Sequence, residues 1–133
     1  MFFSHGSSNS TGCAIAFSKS MNIDINEDNI STDENGRIII VEATFDSKKF
    51  LLINLYNANT EKEQLIVLDT LSKLLENHDP DGSFHTIFSG DFNVIFDTVL
   101  DASGGNPTLR NRSLRLYPLP INLTRATLFV LET

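Results

Sequence analysis

Cysteine is almost missing from this chain: Cys13 stands alone, so no disulfide can close within it. Cys13 sits in the apolar run Cys13-Ala14-Ile15-Ala16-Phe17, where a thiol behaves as a small buried hydrophobe. No apolar run approaches the roughly 18 residues needed to cross a bilayer, and the start, Met1-Phe2-Phe3-Ser4-His5-Gly6, has neither a basic region nor a long apolar one. A soluble intracellular protein is the expectation. Four Asn-x-Ser/Thr sequons, at Asn9, Asn29, Asn111 and Asn122, then read as chance. Cationic residues are scarce, with Lys+Arg 10 against Asp+Glu 17 and a net charge of −7. That balance weighs against sequence-nonspecific nucleic-acid binding, which relies on Lys and Arg to neutralise phosphates. It is tempered where a bound cation reverses the local charge of clustered carboxylates. Motifs for several other chemistries are missing as well. There is no P-loop and no Gly-x-Gly-x-x-Gly, and His5, His78 and His85 lack metal-ligand spacing. The serines of the first loop and Ser103 have no base adjacent in sequence, so nucleophilic serine catalysis has no support from motifs.

What the chain does have is the makings of one globular domain. Its 133 residues are 41% hydrophobic and 20% charged. Residues 1 to 12, rich in Ser, Asn, Gly and Thr, read as a loop or frayed terminus, and Cys13 to Phe17 as a short buried strand. An Asn35-Gly36 turn precedes two β-branched, apolar stretches, Arg37 to Phe45 and Lys49 to Tyr56, joined by Asp46-Ser47-Lys48: an antiparallel meander. The period then becomes helical. Leu65, Leu68, Leu71, Leu74 and Leu75 form a stripe, Thr60-Glu61-Lys62-Glu63 a capping box, and the helix should end near Asn77, before Pro80. Phe84 to Ser89 reads as a strand delivering Gly90-Asp91-Phe92-Asn93 to its end, followed by a long connection, Val94 to Pro107. Beyond it, Pro118 and Pro120 forbid a long helix. Strands interleaved with a helix predict an α/β layered domain with a mixed, mostly antiparallel sheet.

Chemistry concentrates at two strand ends. Asp91 and Asn93 are two apart, so extended backbone turns both toward one face at the edge where α/β proteins carry their sites. A carboxylate beside an amide suits phosphodiester cleavage: one orients water or holds Mg²⁺, the other donates to a phosphoryl oxygen. The same residues also suit a plain turn capping a strand. Tyr56 ends another strand before a polar loop, where its hydroxyl could meet a phosphate oxygen or simply remain wet above a buried ring.

The order of these elements, from Gly12-Cys13-Ala14-Ile15-Ala16-Phe17 through Asn54-Leu55-Tyr56-Asn57-Ala58-Asn59-Thr60 to Ile87-Phe88-Ser89-Gly90-Asp91-Phe92-Asn93-Val94 and Leu100-Asp101-x-x-Gly104-Gly105-Asn106-Pro107, resembles the exonuclease-endonuclease-phosphatase superfamily. Within it, the chain is most similar to the endonuclease domains of LINE-type (non-LTR) retrotransposons, relatives of apurinic/apyrimidinic endonucleases. The likeness spans about residues 3 to 113, which makes 1–113 a partial domain and 114–133 a divergent tail.

The resemblance implies a two-layer, DNase I-like α/β sandwich that cleaves DNA with Mg²⁺ (or Mn²⁺), in the nucleus where functional. It implies that Asp91 activates the nucleophile near the metal, that Asn93 contacts the phosphate, with Asp91 and Asn93 as metal ligands, and that Tyr56 stabilises charge on the phosphoryl group. It also implies an Asn strand and a Glu strand ahead of residue 1 and a Ser-Asp-His strand near the end, none of which this sequence supplies. The expectation is an impaired nuclease fragment, marginally stable and given to self-association through exposed sheet edges. The alternatives are a noncatalytic transposon remnant with at most a protein-binding role, and a phosphatase-type member of the superfamily. Leu116 to Thr133, where a leucine-rich helix is expected, reads as a shifted frame or a spurious end.

Overall fold

The computed structural model describes residues 1–6 and 12–92, together with the backbone of Ala126–Val130. Its centre is the strand β5 (Ile38–Phe45), opened by the run Ile38-Ile39-Ile40-Val41, all fully buried. An unbroken apolar run, as opposed to an alternating one, marks a strand covered on both faces. β5 pairs antiparallel with β6 (Lys48–Tyr56) from Ile38↔Leu55 to Phe45↔Lys48. The hairpin closes on Asp46 and Ser47, both at positive φ (49° and 60°), the backbone of a two-residue turn whose twist matches the strands. Two short strands, β3 (Asp24–Ile25) and β4 (Ser31–Thr32), lie antiparallel on the other side of β5 with a 3-10 turn at Glu27–Asn29 between them.

After β6 the pairing changes sense. Joining parallel neighbours needs a crossover, and α1 (Glu61–His78) supplies it, bringing β7 (His85–Asp91) parallel to β6 from Phe50↔His85 to Tyr56↔Asp91. β8 (Ala126–Val130) continues the sheet, parallel to β7. A stretch of the divergent tail is therefore part of the six-stranded mixed sheet. The pairings β3–β5, β4–β5 and β5–β6 are antiparallel and β6–β7 and β7–β8 parallel, so the expected α/β class with a mostly antiparallel sheet is found.

Thr60 caps α1, its hydroxyl accepting from the Glu63 N–H and donating to the Glu63 carboxylate at 2.7 Å. The helix ends at His78, where the Asp79 N–H bonds to the Leu75 carbonyl. Its inward face is Gln64, Val67, Leu68, Leu71, Leu75 and His78. Leu65, assigned above to the apolar stripe, is instead 50% exposed, because residues 64, 67, 68, 71 and 75 follow the helical period more closely. Val67, Leu68, Leu71 and Leu75 pack on Ile38, Ile40, Leu51, Ile53, Leu55, Phe88 and Phe92.

The opposite face of the sheet is covered by a ribbon, and here the first residues depart from the expected frayed loop. Phe2–Ser4 forms β1, antiparallel to β2 (Cys13–Ile15), with Phe2 opposite Ile15. Phe2, Ile15, Phe17, Ile25 and Ile30 pack against Cys13, Ile39 and Val41, which gives Phe2 a burial reason to be ordered. The Asn54 amide donates to the Ala14 carbonyl at 2.8 Å, tying ribbon to sheet. Among the described residues no helix is long and apolar enough to cross a membrane.

Candidate functional site

The parallel strands β6 and β7 end side by side at Tyr56 and Asp91, which are register partners. Partners in adjacent strands point to the same face and lie about 4.8 Å apart in the hydrogen-bonding direction. The phenol and the carboxylate singled out in sequence are thus neighbours, both half-buried. Asn93, the third predicted site residue, lies outside the described residues, as do Asp97 and Asp101.

Two features hold this corner in shape. Gly90 sits at φ 137°, where a side chain is strained, and a Cβ there would come within 1.9 Å of the Leu55 carbonyl oxygen. The glycine lets β7 run against β6 up to its last residue. Beyond it, Asn57 acts as a clamp. Its N–H donates to the Asp91 carbonyl at 2.8 Å, its Nδ2 donates to the Phe92 carbonyl at 3.0 Å, and its Oδ1 accepts from the Ala58 N–H at 2.9 Å. Both Asn57 and Phe92 are about 1% exposed, so these bonds form away from water, where an unmet polar group is costly. Phe92 anchors the segment in the core under α1.

A cation joins the site from the start of β5. The Arg37 guanidinium lies 5.4 Å from the centre of the Tyr56 ring, within cation–π range, and its Nη1 donates to the Tyr56 and Asn57 carbonyls at 3.4 and 3.3 Å. Arg37 is itself fixed at both ends. Its N–H donates to Asp33 Oδ1 at 2.6 Å, and its carbonyl accepts from the Tyr56 N–H at 2.8 Å and from Cys13 Sγ at 3.2 Å. Burial, the largest influence on that thiol, pushes it up to about 11, so Cys13 is a neutral hydrogen-bond donor, not a nucleophile.

Sequence reasoning missed Arg37 and Asn57. Arg37 carries a weak signal, being the one charged residue between the Asn35-Gly36 turn and an apolar run; Asn57 reads as one more polar residue of a loop. His85, expected to pack in its strand, does so, its ring 5.6 Å from that of Phe50.

Among the described residues no three His, Cys, Asp or Glu groups converge on a common point. Mg²⁺ does not require such a cage. It commonly holds one or two protein carboxylates and completes its octahedron with waters and substrate phosphates. The Asp91 carboxylate is a hard oxygen donor of the right kind, at a strand end beside Tyr56, and so fits that minimal role. The corner therefore brings together a carboxylate, a phenol and a guanidinium. No protein-family model matches the chain, and no curated protein matches it. The family likeness rests on the motifs themselves.

Proposed function

We propose that the chain carries part of a Mg²⁺- or Mn²⁺-dependent phosphodiesterase site of the LINE retrotransposon endonuclease type, on a DNase I-like scaffold, with DNA as substrate. One observation carries this reading: Tyr56 and Asp91, two residues to which the motif resemblance assigns roles, are register partners at the carboxyl ends of adjacent parallel strands. Residues 35 apart in sequence need not meet, and a chance Asp-Phe-Asn turn gives no reason for a tyrosine to face it.

Each group has work that follows from its chemistry. The Asp91 carboxylate accepts a hydrogen bond from the attacking water and orients it, or ligates the divalent ion, with Asn93 as second ligand or phosphate donor. When bound, that ion lowers the pKa of water and neutralises phosphoryl oxygens. The Tyr56 hydroxyl donates to a non-bridging oxygen as charge accumulates there. Arg37 holds the Tyr56 ring and supplies positive potential to an otherwise acidic chain. Asn57 fixes the backbone from which Asp91 projects.

Nicking of supercoiled plasmid by the purified chain with Mg²⁺, beside EDTA and Asp91→Ala controls, tests the reading. Metal-dependent nicking that Asp91→Ala abolishes supports it. Absent nicking, or nicking indifferent to Asp91, leaves a noncatalytic remnant of the family.

A further inference from the structure

A second polar array lies away from Tyr56 and Asp91, and the phosphodiester reading makes no use of it. His78, the last residue of α1, is 5% exposed, yet both ring nitrogens are engaged: Nδ1 meets Glu42 Oε1 at 2.8 Å and Nε2 meets Ser31 Oγ at 2.8 Å. Glu42 is on β5, on the face that carries α1, and opposite Leu51, five residues down β6 from Tyr56, roughly 16 Å by strand rise. Its carboxylate also accepts from the amide groups of Asn26, at 3.0 Å, the residue before the 3-10 turn, and of Asn29, the last residue of that turn. Three donors converge on one acid, which fixes its position.

The polarity of the array follows. A carboxylate only accepts, so His78 Nδ1 carries the hydrogen, and in the neutral imidazole Nε2 is left with its lone pair toward Ser31. The Ser31 hydroxyl then donates to Nε2. Acid, imidazole and hydroxyl stand in the order and tautomer that make serine a nucleophile. The charge that appears on His78 when it takes the proton is met twice, by Glu42 and by the negative end of α1. Ser31 is half-buried on the two-residue edge strand β4, as Glu42 is on β5, while His78 between them is buried. A cleft of about 380 Å³ borders the acid end, lined by Asn26, Glu42, Thr44 and Lys49 with Ile25 and Phe84 among its apolar members; Ser31 and His78 lie outside that lining.

We propose that Ser31, His78 and Glu42 form a nucleophilic triad acting on small activated carboxylic esters. Ser31 Oγ bonds to the acyl carbon as its proton passes to His78 Nε2. The acyl–oxygen bond breaks, and the alcohol leaves with that proton. Water then gives a proton to Nε2 and its oxygen to the acyl carbon, the acid departs, and Ser31 recovers its hydrogen.

The test uses the full chain and a fluorophosphonate probe, which leaves a covalent phosphonyl group on an activated serine with loss of fluoride. Intact mass followed by peptide mapping reads the adduct. The expected result is a single adduct on Ser31, absent from Ser31→Ala, and formed about 100-fold faster by the native chain than by the chain unfolded in urea, the scale of general-base assistance. No adduct, an adduct at another residue, or equal labelling of native and unfolded chains overturns the proposal. Because the readout needs neither metal nor DNA, it stands or falls apart from the phosphodiester site.

Discussion

Gly90→Ala puts a single methyl where β6 and β7 meet, and its cost can be worked through from the backbone. At φ 137° the residue lies in a region that essentially only glycine populates, a conformational penalty of about 1–3 kcal/mol for any side chain. The added Cβ would also lie 1.9 Å from the Leu55 carbonyl oxygen and 2.8 Å from the Leu55 carbonyl carbon and nitrogen. These atoms belong to the neighbouring strand, so no rotamer change relieves the contact. The strands must part, adding about 1–3 kcal/mol of the kind seen on overpacking a core. Together the loss is about 2–6 kcal/mol, against a total stability of about 5–15 kcal/mol for an ordinary domain. Gly82 supplies the control: it too has positive φ, 67°, but in the turn ahead of β7, where alanine meets chiefly the left-handed penalty of about 1 kcal/mol. Urea unfolding of the three proteins should rank wild type above Gly82→Ala, with Gly90→Ala well below both. Equal destabilisation by the two substitutions would refute the close approach of β7 to Leu55.

Three further outcomes follow from the same contacts. Leu71→Ala removes a fully buried side chain between α1 and the sheet and should lower unfolding free energy by about 2–5 kcal/mol in urea titration. Asn57→Ala deletes two buried side-chain hydrogen bonds, to Phe92 and from Ala58, and should cost about 2–4 kcal/mol by the same assay; a change below about 0.5 kcal/mol would mean water replaces the amide. Cys13 ties stability to alkaline pH. Its folded thiol titrates near 11 against an ordinary 9.0, so the folded state binds that proton more tightly. Its contribution is complete below pH 9 and is lost as pH rises from 9 toward 11. Across that window Tm should fall more steeply for wild type than for Cys13→Ala, and parallel curves would contradict the burial of the thiol.

The parts of this fold that were legible in sequence are those set by neighbours along the chain. Thr60 and Glu63 announce a helix start because a cap is satisfied within four residues. The Ile38–Val41 run announces a buried strand for the same local reason. Phe2 opposite Ile15 depends on a pairing with a residue 13 positions on, and no local period signals it. Leu65 shows the opposite failure: a leucine spaced plausibly for the stripe faces outward because Gln64 turns inward and donates to the Ala58 carbonyl at 2.7 Å. At the candidate site, Asp91 and Tyr56 were visible as motif residues. Arg37 and Asn57 act through backbone carbonyls, which any strand end offers, so their residue types carry little signal. Ser31, Glu42 and His78 are still less legible, since His78 meets its partners across 36 and 47 residues.

The central claim is that Asp91 and Tyr56 act on one phosphodiester. A double-mutant cycle on the rate of Mg²⁺-dependent plasmid nicking tests it most directly, using wild type, Asp91→Ala, Tyr56→Phe and the double variant. Groups that serve one transition state are non-additive. The account predicts that both single variants are slower than wild type and that the double variant is no slower than Asp91→Ala alone. Rate losses that multiply, or a wild-type chain that does not nick, would contradict it.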